Sequence, residues 1–232
     1  MSQFKVKGEF FMEEKTFTHG VTLHKDGTYA LQLNIDFGYM TPDDLITVGQ
    51  IAKKYGVTCC TATTAKKISL MNVKEDDVNK VWAEVDEAFG DRLYYPHGKV
   101  VLCPSTDFCK FAMADKDNRP IGKKVVDISL KHNAGKIKVG ISSCPRCCAM
   151  SKTKDIGIFA MPNGWSVVVG GNAGGNAALA QPIAEKLSDE ELFALLDKIY
   201  QYFEDNRQGK ERTVLTLKRL GFEHFKKAVL GE

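Results

Sequence analysis

The sequence predicts an α+β protein built in two parts, and three observations carry that prediction. The first ninety or so residues alternate strand-like segments with amphipathic helical ones. Short strand-like runs separated by glycines and cysteines follow. Near the C-terminus a long amphipathic segment opens on a capping box formed by Ser188 and Glu191.

Residues 26–36, DGTYALQLNID, alternate apolar and polar side chains after an Asp-Gly turn and predict a strand. Residues 41–56 predict a helix. Thr41 is the expected N-cap, Pro42 takes the first helical position, and acids fill the first turn. Leu45, Val48, Ile51 and Ala52 form its apolar face, and Gly56 ends it. Residues 57–73 suit one or two strands with a turn near Ala65. Cys59 and Cys60 fall in that run and are expected to pack in the core. Residues 74–90 predict a second helix with Val78, Val81, Trp82, Val85 and Phe89 on one side. This β-α-β-β-α order is close to half or more of a ferredoxin-like sandwich.

The second part starts with a linker and the strand KVVLC within residues 91–103. Residues 135–144, 155–161 and 164–171 read as strands, the last two joined by a Pro-Asn-Gly turn. Residues 170–176, GGNAGGN, form a glycine-rich loop. Residues 188–206 predict a helix, and the chain closes with two short helices broken at Gly221.

The chain's 232 residues can bury a good core in one domain or two small ones. A net charge of +3 is too small to argue for nucleic acid, although local basic clusters can bind an anion. No apolar run reaches membrane-spanning length. The opening MSQFKVKGEFFMEEK mixes charges into its apolar positions and reads as no signal peptide, so a cytoplasmic protein is expected. Seven cysteines in a reducing compartment are poor candidates for structural disulfides, and a clustered subset suggests metal binding or catalysis.

Cys103 and Cys109 are spaced C-x5-C, and Cys144 and Cys148 are spaced C-x3-C. Four thiolates on two separate loops can close around one metal centre. Zinc usually takes shorter hooks, whereas the five-residue gap suits a larger [4Fe-4S] cube. Free buried cysteines are the competing explanation of the same spacing. Cys147 and Cys148 are adjacent and point in different directions, so only one of them is expected to serve such a centre.

These cysteine pairs, each opened by Cys-Pro, resemble the signature of the sirohaem and [4Fe-4S] sulfite and nitrite reductases. YALQLNIDFGYMTPDDLITVGQIAKKYG resembles that family's ferredoxin-like half-domain. KIKVGISSCPRCCAMSKTKDIGIFA resembles its second cysteine segment, and VVVGGNAGGN its glycine-rich sirohaem loop. The resemblance covers nearly the whole chain in the family's order. It implies a ferredoxin-like half-domain over residues 1–92 and a sirohaem and [4Fe-4S] binding domain over 93–232. The large enzymes carry this unit twice and this chain carries it once, so the small single-unit sulfite reductases are the nearest type and self-association is expected.

By the same resemblance, Cys103, Cys109, Cys144 and Cys148 hold the cluster, with Cys148 also bound to the sirohaem iron. Cys147 becomes a small residue in a tight loop. Lys136 and Lys138, read as alternating on a strand so that both face one way, match the family's catalytic pair. Their role is to meet the substrate anion and supply protons. Lys66, Lys67, Lys110, Arg146, Lys152 and Lys154 are candidates for binding the sirohaem carboxylates. Gly170, Gly171, Asn172, Gly174 and Gly175 are candidates for bringing backbone N–H groups to them. Two positions depart from the family pattern: Ala65 stands where it carries arginine, and Arg146 where it carries asparagine.

The resemblance implies an oxidoreductase that carries out the six-electron reduction of sulfite to sulfide. The glycine-rich loop lacks the spacing of a dinucleotide site, so electrons are expected from an external donor such as ferredoxin. Reduction of nitrite or another small oxyanion, an electron-transfer or tetrapyrrole-binding role without turnover, and a zinc-stabilised binding module are the alternatives.

Overall fold

A computed structural model describes residues 20–94, 99–104, 107–113 and 117–231. The opening segment read as carrying no signal peptide lies outside the described residues. Strands β1 (Val21–Leu23) and β2 (Tyr29–Leu33) form a hairpin. Gly27 takes φ +82° in its turn, and Asp26 accepts hydrogen bonds from the Thr28 amide and hydroxyl. The strand expected over 26–36 is therefore a turn, a five-residue strand, and a left-handed turn at Asp36 and Phe37.

Helix α1 (Pro42–Lys54) starts where its cap predicts. The Asp44 amide donates to the Thr41 hydroxyl at 3.1 Å, and the Thr41 amide donates to the Asp44 carboxylate at 2.8 Å. Strands β3 (Cys59–Ala62) and β4 (Ile68–Val73) form a second hairpin, and α2 (Glu75–Phe89) follows. The sheet runs β1-β2-β4-β3, antiparallel throughout. Leu31, Leu33, Leu70 and Val73 share a core with Val48, Ile51, Val81, Trp82 and Val85 of the two helices. The expectation for Cys59 and Cys60 fails here. β3 is the edge strand, paired only with β4 among the described residues, and both thiols are exposed.

The second sheet contains β5 (Val100–Leu102), β6 (Val139–Ser142), β7 (Ile156–Met161), β8 (Gly164–Val169) and β9 (Gln181–Leu187), side by side in that order. β5, β6 and β7 are parallel, and β7, β8 and β9 are antiparallel. Helix α3 (Asn118–Lys131) makes the crossover from β5 to β6, as a parallel pair requires. Neither α3 nor β9 was among the expected elements. Helices α4 (Asp189–Asn206), α5 (Thr213–Leu220) and α6 (Phe222–Leu230) follow, with Gly221 at φ +91° separating the last two. The core joins Val125, Ile141, Ile158, Trp165, Leu196, Phe203 and Phe225. No helix among the described residues is long and apolar enough to cross a membrane.

The two units are fastened at the end of the first. Phe37 packs into the second core and stacks on Tyr94, with ring centroids 4.0 Å apart. Arg92 forms a two-pronged ion pair with the buried Asp44 at 2.8 and 2.7 Å. The Arg92 hydrogen bonds, helped by those from Thr41, hold the Asp44 carboxyl well below the usual carboxylate range. A depressed carboxylate stabilises the fold above its ordinary pKa of about 3.9, and that contribution fades as pH falls below it. Asp44→Asn is therefore expected to cost about 1–2 kcal/mol near neutrality, through the lost cap and pair. Urea midpoints measured at pH 7 and pH 3 check this: the gap between variant and wild type narrows at the lower pH, and an unchanged gap refutes the assignment.

Candidate functional site

Alternation along β5 puts Lys99, Val101 and Cys103 on one face. The pairing of Val100 with Val139 sets Lys99 beside Lys138, and the Val139 amide donates to the Lys99 carbonyl at 3.0 Å. Two adjacent parallel segments thus lead from a lysine to a cysteine, one from Lys99 to Cys103 and one from Lys138 to Cys144. β6 begins only at Val139, so Lys136 and Lys138 lie in the segment leading into the strand.

Both lysines nevertheless line a cavity of about 260 Å³, together with Lys67, Lys99 and Lys154. Gln32, Thr63, Thr64, Ala65 and Val101 complete the wall, so both sheets contribute to it. None of the five lysines has an ion-pair partner among the described residues. Burial, reinforced by Lys136, Lys67, Arg212 and Lys138, pushes the Lys99 ammonium down to about 8. Burial lowers Lys67, Lys138 and Lys154 in the same direction, each with help from a neighbouring lysine. Crowded, unpaired cations of this kind form a receptor for an anion.

Among the described residues the carboxylate that acts on Lys138 and Lys154 is Asp155, and it is engaged elsewhere. Asp155 is fully buried and accepts from the Lys138 amide at 2.8 Å, from the Arg212 guanidinium and from the Thr213 hydroxyl. Its carbonyl accepts from the Gly170 amide at 2.8 Å. Asp155 thereby ties the start of α5 and the glycine-rich loop to the lysine segment. Lys99, Asp155 and Arg212 were not among the sequence candidates. An Asp-Ile-Gly stretch was visible, but nothing local announced a partner 57 residues away.

The second cysteine segment folds back over the sheet. The Cys147 amide donates to the Cys144 carbonyl at 3.3 Å and the Met150 amide to the Cys147 carbonyl at 2.7 Å, with Cys147 and Met150 at φ 54° and 58°. The approach is close enough to require glycine beneath it. A Cβ on Gly140 would lie 2.6 Å from the Ala149 carbonyl oxygen, and one on Gly157 would run into the Ser151 carbonyl. Gly171 meets the Lys154 carbonyl in the same way, at 2.5 Å. Ser142, Ala149 and Ser151 lock the fold-back through hydroxyl hydrogen bonds at 3.0 and 3.2 Å.

The resulting corner suits thiolate ligands. Cys103 is buried, and its sulfur accepts from the Ser143 amide at 3.1 Å and the Asn118 side-chain amide at 3.3 Å. Donors aimed at sulfur favour a thiolate. Burial raises the Cys103 thiol, the Ser143 amide lowers it, and Cys144 and Cys148 raise it again. Cys144 is buried and Cys148 exposed. Cys109 is half-buried, and its loop is held beside Cys144 by the Met113 amide, which donates to the Ser143 carbonyl at 2.9 Å. Among the described residues no three His, Cys, Asp or Glu side chains gather tightly enough for a single metal ion. A four-iron cube spreads its ligands more widely than a lone ion does.

Ala65 joins the two halves of the site. It lines the lysine cavity and packs on Val101, Cys103 and Ala149. Lys66 sits at φ 57° with its ammonium 5.9 Å from the Tyr39 ring centroid; burial lowers it while Cys103 and Cys148 act the other way. The remaining basic candidates do not line the cavity. The Arg146 guanidinium lies 3.9 Å from the Phe111 ring centroid and the Lys110 ammonium 5.1 Å from it, while Lys152 is exposed. In the glycine-rich loop, the amides of Gly170, Asn172 and Gly174 bond to Asp155, Ala178 and the Asn172 side chain, so they serve the loop's own fold.

Comparisons with known proteins show the family to which the chain belongs. The family described as the nitrite and sulphite reductase 4Fe-4S domain matches residues 97–232, and the nitrite/sulfite reductase ferredoxin-like half domain matches residues 23–88. An assimilatory-type sulfite reductase of Nitratidesulfovibrio vulgaris is 32% identical over 91% of this chain and 97% of its own. A nitrite reductase [NAD(P)H] of Bacillus subtilis is 31% identical over 87% of this chain, which spans only 25% of that larger protein. A crystal structure of dissimilatory sulfite reductase I has the same fold, with a TM-score of 0.75 at 13% identity over 87% of this chain and 68% of that one.

Proposed function

We propose that this chain, which belongs to the nitrite and sulphite reductase family, reduces sulfite to sulfide with a [4Fe-4S] cluster and sirohaem. The observation that carries the proposal is the cavity of five lysines without an ion-pair partner among the described residues, whose wall includes Ala65 and Val101, two residues that also pack in the cluster holding Cys103. Bound there, the cluster and sirohaem would relay electrons from the external donor to the substrate. Cys103, Cys109, Cys144 and Cys148 are the ligands we assign to the cluster, with the exposed Cys148 also reaching the sirohaem iron.

The chain's own residues do the rest. Sulfite takes up six electrons and six protons to leave sulfide and three waters, so the site must hold an oxyanion and deliver protons to its oxygens. Lys136 and Lys138 face the cavity and are suited to both tasks. Lys67 and Lys154 add charge from two other segments. Ala65 and Val101 add an apolar, low-dielectric wall, which strengthens the charge–charge contacts beside it. Lys66, beside the cysteine corner, is suited to a sirohaem carboxylate. We place the electron source in an external ferredoxin-type carrier and the protein in the cytoplasm, a reading supported by seven free cysteines.

The test is an anaerobic absorption spectrum with and without sulfite, together with sulfite-dependent oxidation of a reduced viologen dye. Sirohaem bands that shift on sulfite addition, with dye oxidation, are expected; iron-free protein that oxidises no dye would refute the reading. Nitrite is the second substrate to assay, because the same unpaired cations can hold either anion and relatives of both names match.

A further inference from the structure

We propose that Asn118 raises the reduction potential of the centre held by Cys103, so that this centre accepts an electron from weaker reductants. The inference rests on reading the four cysteines as ligands of a [4Fe-4S] cluster. Three observations carry it. The Asn118 side chain is fully buried, and its amide donates to the Cys103 sulfur at 3.3 Å and to the Cys103 carbonyl at 3.1 Å. That carbonyl, and the Ile141 carbonyl at 3.5 Å, can only accept, so together they fix how the amide is turned: its N–H, and not its oxygen, faces the sulfur. The Asn118 side-chain oxygen is buried without a hydrogen-bond partner among the described residues.

The local fold does not call for an asparagine here. Asp117 caps helix α3, accepting from the Arg119 amide at 3.1 Å, so Asn118 is not needed to start it. Both carbonyls have other donors: the Tyr39 hydroxyl serves Cys103, and the Cys103 amide serves Ile141 at 3.0 Å. A leucine would fill a similar volume and leave no buried acceptor unmet. What asparagine adds is an N–H dipole with its positive end on the sulfur. When the cluster takes up one electron, the negative charge on its sulfur ligands grows, and that dipole holds the reduced form more tightly than the oxidised one. Asn118 acts through Cys103, so it is a positioning residue and not a catalytic one.

The experiment is a redox titration of the anaerobically purified holoprotein, following the electron paramagnetic resonance signal of the reduced cluster, with iron and acid-labile sulfide measured on the same samples. Asn118→Leu and Asn118→Val both lack the donor and differ in volume. Each is expected to keep its iron and to show a reduction equilibrium constant about tenfold lower, a midpoint about 59 mV more negative. Ser129→Ala removes another buried hydrogen bond of α3, from the Ser129 hydroxyl to the Val126 carbonyl at 2.7 Å, and is expected to leave the potential unchanged. An unchanged or more positive midpoint in both Asn118 variants would overturn the proposal. A shift confined to the smaller Asn118→Val would do the same, since packing would then be the cause. Loss of the cluster from both would also overturn it, because Asn118 would then hold Cys103 for binding iron and not tune the bound centre. Wild-type protein that shows no iron–sulfur signal at all would instead sink the reading of the four cysteines, and the proposed function with it.

Discussion

Cys103→Ser is expected to leave a folded protein with background iron and acid-labile sulfide and no sulfite-dependent dye oxidation. The replacement is nearly isosteric, so the core around Val101 and Ala149 keeps its packing. What changes is the donor. The Ser143 and Asn118 amides are aimed at a sulfur, and a serine hydroxyl is a far weaker ligand for iron than a thiolate. Cys144→Ser, Cys109→Ser and Cys148→Ser are expected to follow, with Cys148→Ser also removing the sirohaem bands. Cys147→Ser is the control and is expected to retain its iron, since Cys147 occupies a left-handed turn position. Iron and sulfide analysis after anaerobic reconstitution reads all five. Full iron in Cys103→Ser, or its loss in Cys147→Ser alone, would show that the ligands are assigned wrongly.

Gly157→Ala is expected to disrupt the site from beneath, without touching a ligand. Its methyl would meet the Ser151 carbonyl and the Val168 side chain, the latter at 2.7 Å, so the fold-back carrying Cys144 and Cys148 must lift off the sheet. Overpacking against backbone costs about 3 kcal/mol. Both the apoprotein unfolding midpoint and the iron content are expected to fall. Gly175→Ala adds a methyl into open space and is expected to change neither. A Gly157→Ala protein with wild-type stability and full iron would show that the loop has another resting place.

The first unit was largely legible in sequence because its signals are local. The Thr41 cap, the Pro42 start and the apolar faces of α1 and α2 lie within a few residues of what they specify. The error at Cys59 and Cys60 has a general cause: alternation identifies a strand and says nothing about whether it lies at an edge. Helix α3 carries Ile121, Val125 and Ile128 at helical spacing, but Pro120 and the polar residues around it weaken that local signal. In the site, the Lys136–Lys138 pair followed from the family resemblance, while four cysteines stood out as residue types in a pattern. Lys99 did not, since a lone lysine before a strand is unremarkable until β6 is laid beside it. Asp155 and Arg212 meet only through the tertiary fold, which no window of sequence contains.

That last contact imposes an order on events at the ribosome. The lysine and cysteine segments emerge first, yet the carboxylate of Asp155 stays without two of its three donors until Arg212 and Thr213 leave the exit tunnel. The anchoring of the lysine segment beside the cavity is thus completed only once the start of α5 is available.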